Sequence, residues 1–96
     1  MEDKKGFVAK VSEAVAYGVP NVEKVDYERY EHNSNGWKKE FVVVYYKGGS
    51  ISVRSVNGTS CGAIFQEIGK LLLEGYYEEI EYRERIVNSP DWTRVQ

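Results

Sequence analysis

The 96-residue sequence predicts a single α+β domain: a helix, three antiparallel strands, a second helix and a short C-terminal third helix. Three observations predict it. An apolar stripe of helical period runs through residues 5–17. Three β-rich segments are separated by Asn35-Gly36 and Gly48-Gly49, both hairpin signals. A second helical stripe, Ile64, Phe65, Ile68, Leu71 and Leu72, follows the last strand. Two helices laid on one face of a three-stranded antiparallel meander form a two-layer arrangement with one core.

The first helix is marked by Phe7, Val8, Val11, Ala14 and Val15, three and four residues apart. Glu2 and Asp3 precede it and suit the positive end of its dipole. Gly18 and Pro20 stop it. Residues 22–32, 38–46 and 50–56 read as strands. Asn57-Gly58 ends the sheet, Thr59 or Ser60 caps the second helix, and Gly75 closes it. Residues 76–88 carry the Glu and Arg content of a helix, which Ser89-Pro90 terminates.

Composition bounds the class. Apolar residues make up 42% and charged residues 29%, enough apolar content for a folded core. The formal charge is −2, and no basic face of the kind nucleic-acid binders carry is visible. One cysteine, Cys61, excludes an internal disulfide and fits a reducing compartment. No secretory or membrane-spanning apolar run is visible, so a cytoplasmic protein is expected.

The segment FVVVYY, residues 41–46, does not alternate apolar with polar, as a strand wetted on one side should. Two-residue turns at Gly48-Gly49 and Asn35-Gly36 set a register. They place Val25, Tyr27, Val42, Val44, Tyr46, Ile51 and Val53 on the core side. Glu28, Tyr30, Phe41, Val43, Tyr45 and Arg54 fall on the other side. A slip of one residue would exchange the two sides. Three occupants suit that second face: the C-terminal segment with its tyrosines and Trp92, a second copy of the chain, or a foreign protein.

No catalytic motif stands out. His32 is the only histidine and lacks a partner for acid–base work. Cys61 opens a predicted helix, where thiols can be activated, but it also extends the apolar stripe. Asn57-Gly58-Thr59-Ser60 could offer backbone N–H groups to an anion, without the lysine of a phosphate loop. Asp26 and Glu28 share a face, but a flat sheet does not separate their pKa values as catalysis requires. No cofactor or metal is expected.

The expected function is therefore that of a small non-enzymatic accessory factor that binds another protein. An inhibitor of a host protein, encoded by a phage or other mobile element, belongs to this class. Its contact residues would be Tyr30, Phe41, Val43, Tyr45, Arg54 and Glu28, since Tyr and Arg concentrate binding energy. A homodimeric structural domain is one alternative. Another is nucleic-acid binding, because the element order is similar to that of the double-stranded RNA-binding domain. That resemblance is of topology only. It implies lysines at the start of the last main helix, where this chain has Thr59-Ser60-Cys61-Gly62-Ala63.

Overall fold

The computed structural model describes residues 3–74 and 79–96. Its elements are α1 (Lys4–Gly18), β1 (Val22–His32), β2 (Lys38–Tyr46), β3 (Ile51–Ser55), α2 (Cys61–Glu74), α3 (Ile80–Asn88) and β4 (Trp92–Arg94). The strands form one antiparallel sheet in the order β3-β2-β1-β4. The α+β class and the helix–strand order are as expected, but the sheet has four strands rather than three. The added strand is a short return of the chain after Pro90, which sets Trp92 opposite His32 and Arg94 opposite Tyr30. Glu2, the proposed Gly75 stop, Tyr76 and Tyr77 lie outside the described residues.

Local chemistry explains the helix starts. Asp3 Oδ1 accepts a hydrogen bond from Gly6 N at 3.0 Å, capping α1. Ser60 Oγ accepts from Ala63 N at 3.2 Å at the start of α2. Asn57 does more than end the sheet. Its side chain accepts from Glu40 N at 2.8 Å and donates to Lys38 O at 3.0 Å, extending the ladder of β2 beyond β3.

Both bends differ from the expected two-residue turns. The first loop closes with His32 N donating to Trp37 O at 2.8 Å, so it spans four residues. Gly36 takes φ +72°, a value that favours glycine. The β1–β2 pairing therefore moves by two residues: Val25 faces Val44 and Tyr27 faces Val42. A two-residue move keeps Val25 and Tyr27, and Glu28 and Tyr30, on their expected sides, while a bulge between Val22 and Lys24 turns Val22 into the first core.

The second bend is a three-residue loop. Tyr46 N donates to Ser50 O at 2.9 Å, and only Gly49, at φ +94°, is left-handed. A two-residue turn of the favoured kind needs positive φ at both positions, which Gly48 does not supply. Tyr45 consequently faces Ile51 and Val43 faces Val53. This one-residue shift turns β3 over. Ile51 and Val53 join Phe41 and Val43 on the second face, and Ser52 and Arg54 share the first face with Val42 and Val44.

The sheet is buried on both sides. On the first face, Val8 of α1 and Ile64, Ile68 and Leu71 of α2 pack on Val25, Tyr27, Val42, Val44 and Val56. On the second face, Ile86 of α3, with Ile80, Tyr82 and Trp92, packs on Tyr30, Phe41, Val43 and Val53. Phe41 meets Tyr82 and Tyr30 edge-on, at 5.8 and 6.1 Å between ring centroids. The apolar run in β2 thus belongs to a central strand with a core on each side. C-terminal residues cover the second face.

One carboxylate on each face ties a helix to the sheet. Glu28, with no exposed surface, accepts Arg83 Nε on Oε1 at 2.8 Å and Arg83 Nη2 on Oε2 at 2.6 Å. Tyr30 Oη also donates to Oε1 at 2.9 Å. Glu40 receives Lys4 Nζ at 2.8 Å and Tyr27 Oη at 2.5 Å on Oε2, and Gly58 N at 3.2 Å on Oε1. Burial pushes both carboxyls up, but hydrogen bonds outweigh it: chiefly from Arg83 at Glu28, and from Lys4 and then Tyr27 at Glu40. Both titrate below their ordinary value near 4.5.

A depressed carboxylate contributes stability that is complete above its unfolded pKa and is lost as pH falls through the folded value. Stability, from urea unfolding at a series of pH values, should therefore decline below about pH 4.5. Glu28→Gln should flatten that decline. An unchanged acid dependence in Glu28→Gln would contradict the assignment.

Candidate functional site

The six residues expected to contact a partner do not form one surface. Glu28, Tyr30, Phe41 and Val43 are buried beneath α3, each at most 4% exposed. A partner cannot reach them in the folded chain. Tyr45 is half-buried at the margin of this second core, with Lys24 Nζ 4.8 Å from its ring centroid. Arg54 lies on the opposite face, where its Nε donates to Glu67 Oε2 of α2 at 2.9 Å. The inverted β3 and the covering α3 account for all six placements.

Apolar surface left open lies instead between α1 and α2, on the far side of the first core. The roll of α1 produces it. Val8 is fully buried, and one turn later Ser12 faces the sheet, its Oγ accepting Val25 N at 2.8 Å. Val11 and Val15 are only partly buried, so the apolar stripe of α1 overruns the sheet towards α2. On α2, Ile64, Ile68 and Leu71 take the inner positions. Phe65 follows Ile64 by one residue, about 100° around the helix, and is carried to the flank. It is 58% exposed.

The result is a groove of about 450 Å³ lined by Val11, Ala14, Val15, Gly18, Val19 and Phe65, with Lys10 at its rim. Its lining combines small apolar residues with one aromatic ring. Sequence periodicity places Val11, Ala14, Val15 and Phe65 on apolar stripes, and a stripe does not say how wide the covering layer is.

The other sequence candidates have structural employment. His32 Nδ1 accepts Ser34 N at 3.2 Å within the first bend, and its ring meets Trp92 edge-on at 5.0 Å. Trp37 is largely exposed and Trp92 is half-buried. Cys61 is half-buried at the first residue of α2. Among the described residues no three His, Cys, Asp or Glu side chains gather where they could hold a metal ion, and no helix is long and apolar enough to cross a membrane.

Phe41→Ala should lower unfolding free energy by about 3–5 kcal/mol, as expected for a large ring removed from a closed core. Phe65→Ser should change it by less than about 1 kcal/mol. Chemical denaturation of both variants checks the contrast, and comparable losses would mean that Phe65 is part of the core.

No protein-family model, no curated protein and no solved structure matches this chain.

Proposed function

We propose that the protein is a small binding module that recognises another protein through the groove between α1 and α2. The observation that carries this is an aromatic side chain left mostly in water beside a trough of small apolar residues. An apolar patch of this kind, rimmed by polar groups, is the usual mark of an interaction surface. An amphipathic helix fits it best. Ala14 and Gly18 allow close approach of a helix backbone, and Phe65 can fill the gap between side chains one turn apart on the partner. Lys10 at the rim favours an acidic residue on that helix.

An accessory or inhibitory role towards a host protein would be exercised by occupancy of this groove. The single thiol suits a reducing, cytoplasmic setting. Nucleic acid is a poorer fit. The first turn of α2 carries no cation, and Lys70, further along, lies 3.5 Å from Glu67. The second-face residues first expected to make the contact serve here as the support beneath α3.

Capture from a native host lysate should be run with the wild type, Phe65→Glu, Ala14→Glu and Leu73→Glu. Leu73 is exposed and does not line the groove. The proposal expects a protein retained by the wild type and Leu73→Glu but lost with both groove variants. Identical capture by all four folded proteins would overturn it. Light scattering of the wild type identifies a second copy as the occupant if the mass doubles and Phe65→Glu restores the monomer.

A further inference from the structure

The chain contains the dipeptide Asn-Gly twice, as Asn35-Gly36 in the first bend and Asn57-Gly58 after β3. Asn-Gly is chemically labile, because the glycine nitrogen is unshielded by a side chain and can attack the asparagine's own side-chain amide. Both asparagines are exposed, and both glycines are left-handed, at φ +72° and +66°. A Cβ at either glycine would meet no atom within 4 Å, so crowding does not distinguish the two sites.

Their hydrogen bonds do. Asn57 is held at both ends of its amide. Its Oδ1 accepts Glu40 N at 2.8 Å and Ser55 Oγ at 3.2 Å, and its Nδ2 donates to Lys38 O at 3.0 Å. Gly58 N, the nitrogen that would attack, donates to Glu40 Oε1 at 3.2 Å. A carboxylate beside this N–H opposes loss of its proton. Asn35 is held at one end only. Its Oδ1 accepts Trp37 N at 2.9 Å in an Asx turn, and its Nδ2 has no hydrogen-bond partner among the described residues. Gly36 N donates to a neutral acceptor, His32 O, at 3.2 Å. Thus no protein bond retains the amide nitrogen that has to leave Asn35, and the Trp37 N–H polarises the carbonyl that has to be attacked.

We propose that Asn35 is a site of spontaneous modification, deamidating in the folded chain, whereas the fold protects Asn57 in the same dipeptide. Gly36 N attacks Asn35 Cγ. The N–Cγ bond forms, the Cγ–Nδ2 bond breaks, and Nδ2 departs as ammonia with the proton from Gly36 N. Water, the only co-reactant, then opens either carbonyl of the five-membered imide, giving aspartate or isoaspartate. Either product adds a negative charge to the first bend. Isoaspartate also adds one backbone atom within the loop that His32 N and Trp37 O close. No residue lining the groove between α1 and α2 takes part, so this site does not depend on the binding proposal.

The test is prolonged incubation of the full chain at mildly alkaline pH, followed by peptide mapping with mass spectrometry, which reads conversion at each asparagine and separates aspartate from isoaspartate. Asn35 should convert at least about tenfold faster than Asn57, because three side-chain hydrogen bonds hold Asn57 and one holds Asn35. In urea the two rates should converge, since only the fold sets the sites apart. Asn35→Gln should abolish the fast phase of ammonia release from the folded chain. Equal rates at the two sites in the folded chain, a gap of the same size in urea, or fast ammonia release surviving in Asn35→Gln would each overturn the proposal.

Discussion

A carboxylate with no exposed surface lies between the sheet and α3, and one guanidinium holds it at two points. Much of the structure depends on this contact between Glu28 and Arg83. α3 has nine residues, too few to be stable in isolation. It buries only Ile86 fully, with Ile80 and Tyr82 in part. Arg83 adds a charged anchor to that thin apolar contact. Tyr30 supplies a third hydrogen bond to the same carboxylate, and burial and Glu28 push its own pKa up to about 12. Arg94 of β4 approaches Glu28 Oε2 at 3.8 Å, so both C-terminal elements converge on one side chain. Without Arg83, Glu28 would be a buried charge short of compensation, a loss of about 3–5 kcal/mol. That is a large fraction of what a small domain possesses.

The first face repeats this arrangement with Glu40, Tyr27 and Lys4, and there the element held is the start of α1. On each face a tyrosine and a glutamate of the sheet meet a cation from a helix: Glu28 and Tyr30 both stand on β1, and Tyr27 and Glu40 on adjacent strands. The edge of β1 beyond β4 is also closed. Ser12 Oγ accepts Val25 N, and Asp26 Oδ1 accepts Tyr27 N at 2.9 Å. Side chains thereby occupy donors that an edge strand would otherwise offer to another chain. With both faces covered and this edge blocked, the groove beside Phe65 stands out as open apolar surface.

Much of the fold was legible in the sequence, and the parts that were not have identifiable causes. Helical periodicity located α1 and α2. Residues 41–44, four consecutive apolar side chains, already implied a strand without a wet face. Their second cover was one of the occupants considered, and α3 proved to be it. Gly48-Gly49 misled because two adjacent glycines permit both a two-residue and a three-residue loop, and only backbone closure at Tyr46 and Ser50 chooses between them. That choice placed Arg54 on the first face. The strand at Trp92 was missed because three residues give no periodicity. The candidate site was hidden for a different reason: Val11, Val15 and Phe65 lie on true helical stripes, and only the roll of α1 about Val8 and Ser12 shows that the stripes exceed the core.

The most direct test is a double-mutant cycle on Glu28→Gln and Arg83→Met, with unfolding free energies measured in urea at neutral pH. If the two-point contact secures α3 to the sheet, the two losses should be strongly non-additive, with a coupling of about 2–3 kcal/mol. Additivity within about 0.5 kcal/mol would show that α3 is held by its apolar residues alone.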